Sequence, residues 1–242
     1  MAKRKLVIGL GSGRTGTTSL AAFIDAQPNT LCTHEAHPIP WKVSIPDLNK
    51  TLPSFVARYR KLEKDLREKG IESEAIIGDV AFYHIPYVIF YLKAFKVKFV
   101  CLKRPREEVV KSFLGHTDRH QQGHNFWSKT DDHVKSHYND FTKWVHSIWN
   151  ECFPKYDGKN RKECLEQYWD EYYKIAEVCE ILMPANFKIF PTTHLKTIEG
   201  QKEILRFLGY KKGNLFPDGV IVKNHNGQEN KNTPANFETV TL

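Results

Sequence analysis

The stretch Lys5–Gln27, KLVIGLGSGRTGTTSLAAFIDAQ, decides the fold of this chain. It opens with a short apolar run that ends at glycine, and from Thr17 onward apolar residues recur at helical spacing. This order predicts a buried strand, a glycine-rich turn and a helix. Glycines after a strand let backbone N–H groups surround an anion, and the start of the next helix adds unsatisfied donors and a partial positive charge. The stretch therefore predicts a site for the phosphate end of a nucleotide cofactor.

Short apolar runs alternate with helix-like segments along the remaining chain. Further strands are predicted at Thr30–Thr33, Ala75–Val80, Val97–Leu102 and Phe187–Phe190. Helices are predicted at Ser54–Lys69, Pro86–Ala94, Arg106–Leu114, Cys164–Met183 and Ile198–Leu208. This alternation implies one α/β domain over residues 1–242 with a central parallel sheet flanked by helices. We expect a helical lid or acceptor-binding segment at about 115–160 and a loop-rich tail at 217–242.

Composition narrows the class of partner and the compartment. The chain has 36 lysines and arginines against 28 acidic residues, a net charge of +8 that favours anionic partners. It has no arginine-rich run or basic stripe, so no nucleic-acid partner is predicted. The five cysteines lack CxxC spacing and are expected to be reduced and mostly buried. The first apolar run is too short for a signal peptide or a membrane span, so we expect a cytoplasmic protein.

The turn Gly11–Ser19, GSGRTGTTS, satisfies two motif templates. As Gly-x-Gly-x-x-Gly it matches the dinucleotide fingerprint, and Glu35, about twenty residues further on, would be the acid that binds the ribose. That fingerprint favours small or apolar residues at the start of the helix, whereas this helix begins with the three hydroxyl residues Thr17, Thr18 and Ser19. An NAD(P)-dependent oxidoreductase therefore stays an alternative.

As Gly-x4-Gly-Thr-Thr, the same turn matches a phosphate-binding P-loop, except that Thr17 stands where a lysine would reach the β- and γ-phosphates. A loop without that lysine is poorly suited to a nucleoside triphosphate, but Arg14 and the hydroxyls can bind a shorter anionic group. A P-loop kinase, with Asp79 as its magnesium ligand, is a second alternative. The structural alternative is a turn that only joins strand to helix, and it leaves the convergence of polar groups unexplained.

A second candidate anion site lies at the end of the predicted strand Val97–Leu102. Arg104 follows this strand, and Ser112 comes eight residues later on the next predicted helix. Parallel sheets bind ligands at the carboxyl ends of their strands, so Arg104 is expected on the same rim as the glycine-rich turn. Two anion sites on one rim suggest a cofactor that is phosphorylated at two places.

The two elements together resemble the sulfotransferases that use 3′-phosphoadenosine 5′-phosphosulfate. The 5′ loop of that family has the pattern Gly-x-x-Arg-Ser-Gly-Thr-Thr-Ser-Leu, which Gly11–Leu20 matches with Thr15 where serine is usual. The family's 3′ element, Arg-x7-Ser, matches Arg104 and Ser112 without adjustment. The order of strands and helices from residue 5 to Gly209 is also similar to the family.

The resemblance implies a P-loop-like sulfotransferase architecture and in-line transfer of a sulfuryl group to a hydroxyl or amine of a small-molecule or carbohydrate acceptor. Adenosine 3′,5′-bisphosphate would be the second product, and no metal would be needed. Arg14 with the hydroxyls of Thr17 and Thr18 would stabilise charge on the bridging oxygen. The implied cofactor-binding residues are Gly11, Ser12, Gly13, Arg14, Thr15, Gly16, Thr17, Thr18, Ser19, Arg104 and Ser112.

The general base is sought in the segment Thr33–His37, THEAH, because related enzymes often place a glutamate or histidine after the second strand. Glu35 is the first candidate and His37 the second. Asp79, at the end of another strand on the same rim, is the third. The alternative is that Glu35 caps a turn and that His34 and His37 are surface loop residues.

Three further features leave alternatives open. Histidines recur at helical spacing at His116, His120 and His124, but no cysteine pair completes a ligand set, so no metal site is predicted. Aromatic residues in and after the lid segment either line an acceptor pocket or belong to the core: Phe126, Trp127, Trp144, Trp149, Trp169 and Tyr173. A non-enzymatic nucleotide- or polyanion-binding protein is the remaining functional alternative.

Overall fold

The structure is a computed structural model that describes residues 5–27, 30–36, 38–41, 76–120, 125–129, 151–210, 220–223 and 237–240. It also describes four single helical residues, Tyr59, Lys61, Lys64 and Glu68. The side chains of residues 117–120, 220–223 and 237–240 are outside the description. The predicted helix Ser54–Lys69 is therefore described at four positions, and all four are helical.

Five parallel strands form the central sheet. They are β1 Lys5–Leu10, β2 Thr30–His34, β3 Ile76–Val80, β4 Val97–Lys103 and β5 Phe187–Pro191. Their order is β2-β3-β1-β4-β5, so β1 lies at the centre of the sheet. The helices are α1 Thr17–Asp25, α2 Val88–Ala94, α3 Arg106–His120, α4 Arg161–Leu182 and α5 Ile198–Leu208. The predicted α/β fold with a parallel sheet flanked by helices is confirmed.

The central strand is covered on both faces, as its unbroken apolar sequence requires. Leu6, Ile8 and Leu10 pack with Tyr168 and other residues of α4 on one face. Val7 packs on the opposite face with residues of α1 and α5. Side chains alternate across a strand, so a run in which every residue is apolar is expected where helices cover both faces. Helices on both faces leave the carboxyl ends of the strands as the open rim.

Several helices differ from their predicted bounds. The helix predicted to end at Leu114 continues to His120, because Gly115 lowers helix stability by only about 1 kcal/mol relative to alanine and does not stop the helix. The segment predicted as a helix from Pro86 is a 3₁₀ helix over Phe82–Tyr87, which contains that proline, followed by α2. A second 3₁₀ helix, Thr192–Lys196, follows β5.

The tail contains a small ribbon that the sequence analysis did not predict. The strands β6 Val220–Lys223 and β7 Phe237–Val240 pair antiparallel, and β6 lies beside α1. Strands of four residues are too short for periodicity to identify them. The remainder of the predicted loop-rich tail lies outside the described residues.

The cysteines agree with the prediction of reduced, buried thiols. All five are buried and none is in a disulfide: Cys32, Cys101, Cys152, Cys164 and Cys179. None of the described helices combines the length and the apolar character that crossing a bilayer demands.

Candidate active site

The glycine-rich turn after β1 is left-handed at three positions. The φ angle is 83° at Gly13, 55° at Arg14 and 88° at Gly16. Left-handed residues in a turn direct successive N–H groups into one concavity, the arrangement that binds anions. Gly16 is also the N-cap of α1, and it makes no side-chain cap hydrogen bond. The turn and the start of α1 together therefore present backbone donors to an anion.

Two neighbouring tyrosines of α4 fix the beginning of the turn. Gly11 N donates to the Tyr172 hydroxyl at 2.9 Å. The Tyr173 hydroxyl donates to the Leu102 carbonyl at 2.7 Å and lies 3.5 Å from both the N and the Oγ of Ser12. Burial raises the pKa of both tyrosines, so both hydroxyls stay protonated. The amide of Gly11 and the side chain of Ser12 thus face the core and secure the turn.

Two carbonyl groups of the turn accept hydrogen bonds from side chains that follow β4 and β5. The Arg14 carbonyl accepts from Arg104 Nη1 at 3.1 Å, and the Thr15 carbonyl accepts from Thr192 Oγ1 at 2.9 Å. The Thr15 side chain is fully buried and closes the turn from inside, because a Cβ on Gly11 would lie 2.3 Å from Thr15 Oγ1. Only glycine fits at position 11.

The two predicted anion-binding elements meet. Arg14 Nε donates to Ser112 Oγ on α3 at 3.1 Å. Arg104 forms an ion pair with Glu108 at 2.8 Å, and its carbonyl accepts from Trp169 Nε1 at 3.1 Å. The contacts of Arg104 with Glu108 and the Arg14 carbonyl use two of the five N–H groups of a guanidinium. The structure therefore brings Arg14, Arg104 and Ser112 together on one rim.

His34, which was expected only as a surface loop residue, ends β2 and contacts the first residues of α1. His34 Nε2 is 3.1 Å from Thr17 Oγ1 and 3.5 Å from Thr18 Oγ1. The same nitrogen is 3.8 Å from Glu35 Oε1. His34 is the last residue of β2, and its position at the carboxyl end of a strand was the signal available in the sequence. It connects the predicted base to the hydroxyls of α1.

Glu35 lies between the turn and β3 in a strained conformation. Its φ angle is 48°, and its N–H donates to the Val80 carbonyl at 3.0 Å. Burial and, to a smaller extent, the charge of Asp79 raise the pKa of Glu35 from 4.5 to about 7, although the charge of Arg14 opposes the shift. The side chain keeps 30% of its surface exposed. A carboxyl group with a pKa near 7 that remains accessible is suited to accept a proton at neutral pH.

The raised pKa of Glu35 gives a stability prediction. Because the folded-state pKa exceeds the unfolded value, wild-type stability is lost as pH rises from about 4.5 to about 7. Glu35→Gln cannot ionise, so we expect it to exceed the wild type in free energy of unfolding by about 1–3 kcal/mol at pH 8 and by clearly less at pH 5. Urea denaturation at both pH values measures this. A gain of the same size at both would contradict a buried, pH-dependent charge at Glu35.

Asp79, the third candidate for the base, is buried, and both of its carboxylate oxygens have hydrogen-bond partners. Its Oδ1 accepts from Thr33 Oγ1 at 2.6 Å and from the Ala36 N–H at 3.4 Å, and its Oδ2 lies 2.8 Å from His84 Nε2. Burial by itself raises the pKa of Asp79. The hydrogen bond and charge of His84, together with the hydrogen bonds from Thr33 and Ala36, outweigh burial and lower the pKa. Asp79 is thus an ionised anchor beside Glu35. The other candidate, His37, lies outside the described residues.

A comparison with family models agrees with this geometry. The model of the sulfotransferase domain matches residues 6–219. The chain belongs to the sulfotransferase family. The match includes both the glycine-rich turn and the Arg104–Ser112 element, and the resemblance found in the sequence is confirmed. The family consists of enzymes that transfer sulfuryl groups. A comparison with curated proteins gave no match.

The aromatic residues in and after the predicted lid segment, where they are described, lie either in the core or beside Arg104. Phe126, Trp127 and Tyr173 are buried in the core, whereas Trp169 is half-buried beside Arg104. Trp144 and Trp149 lie outside the described residues. So do His124 and the side chain of His120, and the described part of the chain contains no group of three potential metal ligands.

Proposed function

We propose that this sulfotransferase moves a sulfuryl group from 3′-phosphoadenosine 5′-phosphosulfate to a hydroxyl or amine of a small-molecule or carbohydrate acceptor, in the cytoplasm, with Glu35 as the general base. The observation that carries the proposal is the hydrogen bond from Arg14 Nε to Ser112 Oγ, 3.1 Å long. This bond joins the two halves of the motif, so one nucleotide can contact both. Membership of the sulfotransferase family supports the choice of donor.

The residues fit the two ends of such a donor. Arg104 and Ser112 would bind the 3′-phosphate, because a guanidinium with unused N–H groups and a hydroxyl recognise phosphate oxygens. The backbone donors from Gly13 to Thr17 would bind the 5′-phosphosulfate. Arg14 lies between the two ends, so it can neutralise negative charge at either of them.

The transfer step uses groups that the rim already assembles. The acceptor oxygen or nitrogen attacks sulfur while the bond from sulfur to the bridging phosphate oxygen breaks. That oxygen leaves with the bonding electrons as part of adenosine 3′,5′-bisphosphate, and Glu35 takes the acceptor's proton. Arg14 and the hydroxyls of Thr17 and Thr18 would stabilise the charge on the leaving oxygen. His34, in contact with both hydroxyls, would orient them.

The geometry weighs against the two other nucleotide-dependent activities. A kinase needs an acidic magnesium ligand, but both carboxylate oxygens of Asp79 are already hydrogen-bonded inside the protein. A dinucleotide-dependent oxidoreductase needs an ionised acid for the ribose, whereas burial raises the pKa of Glu35 to about 7. Neither activity accounts for the contact between Arg14 and Ser112.

Titration calorimetry with nucleotides tests the proposal. We expect adenosine 3′,5′-bisphosphate to bind at least about tenfold more tightly than adenosine 5′-monophosphate, since only the former has a phosphate for Arg104 and Ser112. ATP should displace it poorly. Equal affinity for the two adenosine compounds would contradict the 3′-phosphate site. Tight binding without transfer to any acceptor in a panel of sugars, alcohols and amines would instead favour a non-enzymatic binding protein.

A further inference from the structure

A buried carboxylate binds residues on both sides of the proposed base. Asp79 Oδ1 accepts hydrogen bonds from Thr33 Oγ1 at 2.6 Å and from Ala36 N at 3.4 Å. These donors come from the residues that flank His34 and Glu35. Asp79 itself lies on β3, paired in register with Thr33 of β2. One oxygen of this carboxylate therefore clamps the turn that presents Glu35.

The other oxygen of Asp79 is held by a chain of two buried side chains. Asp79 Oδ2 lies 2.8 Å from His84 Nε2, and His84 Nδ1 lies 2.8 Å from the Tyr91 hydroxyl. Burial raises the pKa of Tyr91, so its hydroxyl keeps its proton. An imidazole whose Nε2 faces the carboxylate and whose Nδ1 faces the Tyr91 hydroxyl has a partner at both ring nitrogens. Both oxygens of Asp79 are thus fixed in direction.

The clamped turn is one that would otherwise relax. Glu35 has a φ angle of 48°, a left-handed conformation that costs a residue with a Cβ about 1–2 kcal/mol. Such a conformation persists only where neighbouring contacts impose it. The contacts here are Glu35 N to the Val80 carbonyl at 3.0 Å and Ala36 N to Asp79. Losing the hydrogen bond from Ala36 N to Asp79 would remove one of these two contacts.

We infer that Asp79, oriented by His84 and Tyr91, is the positioning residue for Glu35: it fixes the turn that presents the base, and its charge faces the Glu35 carboxyl group. The inference rests on the proposed role of Glu35 as base. Asp79 does not touch the reacting atoms in this arrangement, because both of its oxygens are engaged within the protein.

The charge of Asp79 has a defined effect on Glu35. Because burial is the largest cause of the raised pKa of Glu35 and the charge of Asp79 the next, neutralising Asp79 should lower that pKa without returning it to 4.5. The other titratable or charged groups that face Glu35 are Arg14 from the turn, His34 on β2, Cys152 and Tyr168. None of these side chains is substituted in an Asp79 variant.

The decisive measurement is the titration of Glu35 itself in the full-length protein. Carbon-13 NMR of glutamate-labelled protein, with Glu35→Gln to assign the resonance, reports the Glu35 pKa without requiring turnover. We expect Asp79→Asn, which keeps the size of the side chain, to shift this titration to lower pH by about half a unit or more. The acidic limb of the kcat/KM profile should move by the same amount, and kcat should fall about tenfold, because a neutral amide accepts from Thr33 and Ala36 less strongly than a carboxylate and holds the turn less firmly.

Asp25→Asn is the matched control. Asp25 Oδ1 also accepts a hydrogen bond from β2, from Cys32 N at 2.7 Å, but at a distance from Glu35 along the strand. This control should leave both the Glu35 titration and the acidic limb in place. An equal shift in both variants, or no shift in Asp79→Asn, would overturn the inference.

Thr33→Val tests the positioning role of Asp79 without removing the charge of Asp79. It also tests the inference if Asp79→Asn does not fold. It removes the donor at 2.6 Å from Asp79 Oδ1 but leaves the carboxylate ionised. We expect kcat to fall several-fold while the acidic limb of the kcat/KM profile stays in place. Unchanged kcat would overturn the positioning role. If the Glu35 resonance shifts as expected in Asp79→Asn while no sulfuryl transfer is detectable in the wild type, the proposed function fails and the structural coupling stands.

Discussion

Glu35→Gln is expected to reduce kcat about 10²–10⁴-fold, the usual contribution of a general base, while affinity for adenosine 3′,5′-bisphosphate stays within about twofold. Glutamine keeps the shape of the side chain but cannot take the acceptor's proton. Nucleotide binding should survive, because the anion donors belong to the glycine-rich turn and to the Arg104–Ser112 element. Sulfuryl transfer followed with a radiolabelled donor, beside calorimetry on the same preparation, measures both quantities.

Glu203→Gln is the matched control for this prediction. Glu203 also pairs with a histidine, since its Oε2 lies 3.3 Å from His194 Nε2, but it belongs to α5. The control should retain wild-type kcat. Loss of turnover in both variants would indicate a general effect of removing a charge, and full activity in Glu35→Gln would remove Glu35 as the base.

The pH dependence of the wild type follows from the same residue. Burial raises the pKa of Glu35 to about 7, and only the carboxylate can act as a base. We therefore expect kcat/KM of the free enzyme to rise with pH up to about 7 and then level off, with a slope of about one below the pKa. A flat profile between pH 5 and pH 8 would contradict this assignment.

The sheet was predictable because each of its strands is a distinct apolar run. The predicted bounds of the five strands lie within one residue of the observed ones, and β1 and α1 begin where predicted. The ribbon of β6 and β7 was not predictable in this way, since its strands have four residues each. Their pairing depends on contacts that a local pattern does not contain.

The positions of the proposed anion-binding residues were predictable for a different reason. The spacing Arg-x7-Ser places Arg104 just after a strand and Ser112 on the following helix, and any parallel sheet puts that position on the same rim as the turn after β1. The side chains that fix the turn were not predictable. Tyr172 and Tyr173 contact the turn although they lie 161 positions further along the chain. The sequence does not distinguish them from the other aromatic residues of α4.

The environment of the proposed base, Glu35, also depended on tertiary contacts. Glu35 was a candidate by its place after β2, but its raised pKa depends on burial and on Asp79 of β3. Asp79 was considered as a base because of its position at a strand end, and the structure instead gives both of its oxygens hydrogen-bond partners. His84 carried no signal in the sequence, since a lone histidine after a strand does not reveal which carboxylate it meets.

Arg104→Ala is expected to weaken binding of adenosine 3′,5′-bisphosphate by about 2 kcal/mol or more, roughly 30-fold, because a charge-assisted contact to the 3′-phosphate is lost. Binding of adenosine 5′-monophosphate, which lacks that phosphate, should change much less. The variant should therefore lose most of the discrimination between the two nucleotides. Calorimetric titration of both nucleotides into wild type and variant measures this ratio directly.

Arg106→Ala distinguishes this specific contact from a loss of general attraction. Arg106 carries the same charge only two positions away and pairs with Asp170 at 3.0 Å. Both variants lower the net charge equally, so a long-range effect would weaken nucleotide binding in both. A short-range phosphate contact predicts a loss in Arg104→Ala alone. Because Arg104 also binds the Arg14 carbonyl at 3.1 Å, a loose turn would weaken both nucleotides alike, and only selective loss of the 3′-phosphate preference identifies Arg104 as the residue that binds it.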